Sequence, residues 1–320
     1  MRDTPHPEAS LRPNPRQEVS SCTSVGLQPS WRVPLRIRGV QSDTWCEPAS
    51  RFAHKQLPTN MENVRIYGNA PFDIAVIHGG PGAPGEMAPV AREIAIRHGV
   101  LEPLQTASSL QGQIRELQAI LKRNGHPPVT LVGHSWGAML SFIFAAQCPS
   151  HVKQLILVSS GAFEDKYAER ITDTRLSRLT GEKIIAVDSL SRTLDDPNAT
   201  DKNRVFAELG NYISRADSFD PLPYESEIIE CQYDIYRSVW KDAQEMRTSG
   251  RLLALGRQIH CPVLAIHGDY DPHPAAGVRT PLSGVLMDFT FILLEKCGHR
   301  PWIERAARER FYGILEQEMR

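Results

Sequence analysis

Val129-Thr130-Leu131-Val132-Gly133-His134-Ser135-Trp136-Gly137-Ala138-Met139-Leu140 runs from an apolar, strand-like stretch, through a glycine-flanked serine, into a helix-forming segment. A serine on a sharp strand-to-helix turn is held in a strained backbone conformation, and neighbouring segments crowd the residues two before and two after it. Glycine is wanted at both flanks, and Gly133 and Gly137 supply it; Ala138 keeps the start of the helix slim. The pattern makes Ser135 the candidate nucleophile. Small residues around a serine also occur in ordinary turns, so the reading needs partners elsewhere in the chain.

The first partner is His78-Gly79-Gly80-Pro81-Gly82, on the loop leaving the buried-looking strand Ile74-Ala75-Val76-Ile77. Attack on a carbonyl develops negative charge on its oxygen, and preorganised backbone N–H groups lower that barrier by about 3 kcal/mol each. Trp136, directly after the serine, offers one donor. Gly80 is the first choice for the second, with Gly79 as the alternative, because Pro81 has no N–H to give. His78 is expected to support the loop by hydrogen bonding rather than to move protons.

A serine hydroxyl also needs a base, and the base needs an acid to fix its tautomer. In elbow-type enzymes these follow in the order acid, then histidine. Pro262 to Gly268 reads as a strand followed by Asp269-Tyr270-Asp271-Pro272; Phe289 to Leu294 reads as another, followed by Cys297-Gly298-His299. His299 is therefore the candidate base. Asp271, three residues beyond Gly268, is preferred as the acid over Asp269, which suits a turn cap. Among the other histidines, His267 lies inside a predicted strand, His273 in the acid loop, and His134 beside the serine with its side chain expected to point away.

These motifs together, His78 to Gly82, Gly133 to Gly137, Gly268-x-x-Asp271 and Gly298-His299, resemble the α/β-hydrolase superfamily, and most of all its prolyl-iminopeptidase-like branch of serine hydrolases. The likeness spans roughly Met61 to the C-terminus. It implies an α/β fold, a mostly parallel sheet flanked by helices, with a helical cap inserted between the sixth and seventh strands. It further implies hydrolysis of a small ester, amide or aminoacyl substrate through an acyl-enzyme on Ser135, with neither cofactor nor metal. Two departures stand out. The Asp-Gln-Arg-Gly type loop usual in iminopeptidases is replaced by Leu101-Glu102-Pro103-Leu104-Gln105-Thr106-Ala107-Ser108, and the opening strand pair is abbreviated to Val64-Arg65-Ile66-Tyr67. Substrates across the superfamily include peptides, esters, lactones and amides, so an aminopeptidase and a non-enzymatic small-ligand-binding protein on the same fold both remain alternatives.

Composition fits one large core with a cap: 320 residues, 41% hydrophobic, formal net charge −1. That balance implies neither a nucleic-acid nor a membrane partner, only a small-molecule substrate. Six cysteines without Cys-x-x-Cys or metal-ligand spacing suit reduced thiols and a cytoplasmic location. Prolines at 5, 7, 13, 15, 29, 34 and 48 interrupt any helical period, so residues 1–60 are expected to be a disordered extension. Core is expected over 61–160 and 251–320, and the cap over 161–250. Helices are predicted over Ala88 to Arg97 and Leu110 to Lys122, and a last one with Ile303, Ala307, Phe311 and Ile314 inward. In the cap, Tyr224, Tyr233, Tyr236 and Trp240 read as packing more than as pocket lining. Glu208, Glu225, Glu227 and Glu230 read as a solvated face more than as an ammonium site.

Overall fold

The computed structural model describes residues 63–320; the expected disorder of residues 1–60, together with Cys22 and Cys46, lies outside them. Seven strands form one sheet: β1 (Val64–Tyr67), β2 (Phe72–Ile77), β3 (Gly99–Pro103), β4 (Val129–His134), β5 (Val152–Val158), β6 (Val263–Gly268) and β7 (Phe289–Leu294). Their spatial order is β1-β3-β2-β4-β5-β6-β7, parallel throughout except for the antiparallel edge strand β1.

Strands buried on both faces divide their side chains between two cores. Ala75, Ile77, Leu131, Leu155, Leu157 and Ala265 join the layer containing α2 (Leu110–Asn124) and α3 (Trp136–Gln147). Their strand neighbours Ile74, Val76, Val132, Ile156, Val158 and Ile266 face the opposite layer, which holds α1 (Ala88–Ile94) and Phe311 and Leu315 of the C-terminal helix. Helix α3 is buried from Trp136 to Ala146, as its nearly unbroken apolar sequence requires. In α2, the predicted stripe Leu110, Ile114, Leu117 and Leu121 is buried, and Ser109 caps the helix by accepting the Gly112 N–H at 3.2 Å.

The cap contains α4 (Ile171–Ser177), α5 (Gly181–Asp195), α6 (Lys202–Ala216) and α7 (Tyr233–Thr248); α8 (Arg251–Ala254) leads back to the sheet, followed by α9 (Ala276–Ser283) and α10 (Arg308–Glu318). The insertion expected between the sixth and seventh strands falls between β5 and β6, the fifth and sixth strands among the described residues, because the opening strand pair is abbreviated to β1, as its sequence suggested. Ile303 and Ala307 are buried as expected, but they precede α10 in a short 3-10 turn and its exit. Among the described residues no helix is long and apolar enough to cross a membrane.

Candidate active site

All the segments singled out above leave the C-terminal ends of parallel strands, the edge where open α/β sheets place their ligands. Ser135 has φ 51° and ψ −111°, a conformation strained for any residue with a side chain. The close approach behind the two glycines is plain: a Cβ on Gly133 would lie 2.3 Å from the Gly137 carbonyl oxygen, and one on Gly137 2.3 Å from that of Ile77. The Ser135 N–H donates to the Val158 carbonyl at 2.9 Å, fixing the turn to β5.

On the β6 and β7 loops, Asp271 accepts a hydrogen bond from Nδ1 of His299 at 2.7 Å. The other carboxylate oxygen of Asp271 accepts from both the backbone N–H and Nδ1 of His273, each at 2.9 Å. His267 donates from Nε2 to the His273 carbonyl at 2.7 Å, and the His273 and His299 rings stack with centroids 4.6 Å apart. Burial would drive Asp271 toward its neutral form, but the surrounding histidines hold it well below the usual carboxylate range. Burial likewise opposes a charge on His299, yet Asp271 outweighs it and raises the imidazole above its ordinary value. His273, for which burial prevails, drops to about 4 and is neutral at pH 7. Asp269 turns instead to the Cys297 N–H at 3.1 Å.

Among the described residues, Asp271, His273 and His299 are a convergent set of metal-ligating types, with ligand atoms within 4.8 Å. The hydrogen bonds from the two imidazoles to one carboxylate account for that convergence without an ion. The Ser135 hydroxyl and the His299 ring are not hydrogen-bonded to each other among the described residues, an arrangement common before substrate tightens such a site. Cys297, buried beside them, has its thiol pushed far up by burial, which leaves it inert as a nucleophile.

In the glycine loop, Gly80 has φ 47° and Gly79 donates its N–H to Glu86 Oε2 at 3.0 Å. His78 is fully buried, with Nδ1 2.8 Å from the Gly79 carbonyl, and burial lowers its basicity. Trp136 is the first residue of α3, where backbone N–H groups have no partner within the helix; its indole donates to Gln113 Oε1 at 2.9 Å.

Three residues that sequence reasoning gave no site role join these loops. His134, expected to point away, is buried between two of the site's loops: Nε2 donates to the His299 carbonyl at 2.9 Å, and Nδ1 lies 3.1 Å from Glu86 Oε2. Burial opposes charge on both members of this pair, and the His134 side holds Glu86 down to about 2. Glu304, fully buried, accepts the Phe219, Asp220 and Gly298 N–H groups at 2.8, 2.8 and 3.0 Å. The cap is thereby stitched to the His299 loop, reinforced by the His299 N–H on the Asp217 carbonyl at 2.8 Å.

The rings of Phe206, Tyr236 and Trp240 form a row that reaches the Trp136 indole, with successive centroids 4.5, 6.4 and 6.3 Å apart. Tyr233 packs against Phe206 in the same cluster, while Tyr224 is 44% exposed. The cap glutamates lie at the surface: Glu208 meets Arg204, Glu227 meets Arg92 and Glu230 meets Asn203, all in exposed pairs, and Glu225 is exposed.

Known proteins carry the same fold. A family model described as alpha/beta hydrolase fold matches residues 109–304, and a second, described as alpha/beta hydrolase, matches residues 15–176. A cis-3-alkyl-4-alkyloxetan-2-one decarboxylase of Shewanella oneidensis is 38% identical over 56 residues, which is 17% of this chain and 18% of that protein. The chain thus aligns with under a fifth of that relative's length. Among solved structures, VinJ superposes with a TM-score of 0.55 at 18% identity, covering 80% of this chain and 93% of that one. The proline iminopeptidase of Mycobacterium smegmatis superposes with a TM-score of 0.51, also at 18% identity and with the same coverages. At that identity the likeness is one of fold, and the family match decides the rest: the chain belongs to the α/β-hydrolase fold family.

Proposed function

We propose that this protein is a serine hydrolase that cleaves a small ester or amide through an acyl-enzyme on Ser135. The observation that carries the reading is a serine on a strained elbow, φ 51°, at the same sheet edge as a buried Asp271 bonded at 2.7 Å to a half-buried His299. His299 takes the Ser135 proton at Nε2 and passes it to the leaving group. Asp271 fixes Nδ1 as the protonated nitrogen and stabilises the imidazolium that forms. The oxyanion is held by the N–H groups of Trp136 and Gly80, since that of Gly79 is already committed to Glu86. Water then releases the acid by the same route in reverse.

The surface placement of the cap glutamates favours ester or amide hydrolysis over the iminopeptidase alternative, which needs an acidic group against the substrate's ammonium. The free Cys148, Cys231, Cys261 and Cys297 fit a reducing, cytoplasmic setting. A fluorophosphonate probe tests the reading: it labels the wild-type chain at Ser135, and Ser135→Ala abolishes labelling. A wild-type chain that resists the probe, with no turnover of short p-nitrophenyl esters, returns the fold to the ligand-binding alternative.

A further inference from the structure

Ala75 of β2 pairs with Leu101 of β3 on one side and with Leu131 of β4 on the other. Counting four residues onward from this row reaches Gln105, Gly79 and Ser135. Gln105 thus leaves the sheet at the same edge as the candidate nucleophile, from a strand separated from β4 only by the one that carries the glycine loop, and two strand spacings are about 10 Å. Its loop is tied to the nucleophile's neighbour, since Gln113 donates to the Ala107 carbonyl at 3.1 Å and accepts the Trp136 indole N–H at 2.9 Å.

The rest of that loop satisfies its polar groups. The Thr106 and Ala107 N–H groups donate to Glu116 at 2.9 and 3.1 Å. Gln105 does not: it is fully buried, and among the described residues neither Nε2 nor Oε1 has a hydrogen-bond partner. Buried carboxamides are otherwise paired in folded proteins, and an unpaired one calls for an explanation. At the glycine loop, Gln232 donates its N–H to the Gly82 carbonyl at 2.8 Å, and its Oε1 has no partner among the described residues.

We infer that Gln105 is a specificity-determining residue whose carboxamide recognises a secondary amide adjacent to the scissile carbonyl, so that the preferred substrates are acylamino esters or amides. A secondary amide offers one donor and one acceptor, the complement of the two atoms Gln105 leaves unpaired. An extended glutamine side chain, a short acyl unit and the serine side chain together bridge the two strand spacings. The inference rests on the serine-hydrolase reading and adds the substrate class to it.

The test compares the p-nitrophenyl esters of N-acetylglycine and 4-oxopentanoic acid, in which CH2 replaces the amide N–H, on the full chain, with rates corrected for spontaneous hydrolysis. The wild type is expected to favour the N-acetylglycine ester at least tenfold in kcat/KM, and Gln105→Leu to bring the ratio to about one. The same variant should not melt below wild type, because an apolar side chain removes two unpaired polar atoms; Gln105→Met serves if it fails to fold. A ratio of one in the wild type, or a ratio unchanged by the variant, overturns the inference and leaves Gln105 holding at most a buried water. If no ester is turned over and Ser135 resists the fluorophosphonate, the serine-hydrolase reading itself has failed. Calorimetry of N-acetylglycine methyl ester on Ser135→Ala then decides the subsite alone: binding lost on adding Gln105→Leu supports it, and no binding overturns it.

Discussion

Glu86→Gln removes one charge from a buried junction between the glycine loop and the candidate base. Oε2 of Glu86 accepts the Gly79 N–H at 3.0 Å and faces His134 Nδ1 at 3.1 Å, while His134 Nε2 is committed to the His299 carbonyl. A proton must lie between Nδ1 and Oε2, since two lone pairs would otherwise face each other. Glutamine removes the charge and cannot meet both contacts from that one position, since its oxygen accepts from Gly79 but only its nitrogen donates to a neutral His134. In the wild type, Glu86 is held down from 4.5 to about 2, so its ionised form contributes stability that is present above pH 4.5 and fades as pH falls through that window. For the pair of pKa values 4.5 and 2, roughly 2 kcal/mol has gone by pH 3. The cost of Glu86→Gln, read by urea denaturation, should therefore be about 2 kcal/mol smaller at pH 3 than at pH 6, even though acid weakens both proteins. An equal cost at both pH values would refute the assignment of the proton to this pair.

The pH dependence of kcat/KM should show an acid limb with a pKa above 6.5, since a protonated His299 cannot accept the serine proton and its folded value is raised; a limb at or below pH 6 contradicts this. His273→Leu removes a donor from one oxygen of Asp271, concentrates charge on the oxygen facing His299, and should move that limb upward by up to about one unit. A merely structural loss would lower rates without moving it. Gly137→Ala sets a Cβ 2.3 Å from a backbone oxygen and should cost about 3 kcal/mol or more in chemical denaturation. Gly210→Ala, in α6 with nothing within 4 Å, should instead stabilise by about 0.5 to 1 kcal/mol.

The elbow, the glycine loop and the order of acid and base are local in sequence, so the fold could be read from them. Gly133 and Gly137 announce the close approach their missing side chains allow, and β-branched runs mark the central strands. β3 was harder to see: Glu102 and Pro103 read as a loop, yet both are buried in a strand whose acid meets the Tyr67 hydroxyl at 2.6 Å. Glu86 and Glu304 escaped notice because their partners lie far along the chain or are backbone N–H groups, which leave no mark on composition. A signal for His273 existed in Asp271-Pro272-His273, where a carboxylate two residues before an N–H readily closes an Asx turn. Surface placement of the cap glutamates matched the expectation of a solvated face, while the row from Phe206 to Trp136 shows the cap aromatics packing on one another.

The stitching at Glu304 also bears on how the roof of the cleft is able to part from its floor. Five backbone donors cross this seam: Phe219 and Asp220 to the carboxylate, Leu222 to Ile303, Arg305 to Asp220 and His299 to Asp217. Peeling the cap away here would strand those groups and drag the imidazole with them, so the segment from Asp217 to Leu222 holds cap and base in one register. Transplanting a cap from a relative would accordingly mean carrying the seam along with it, or else losing the register of the base.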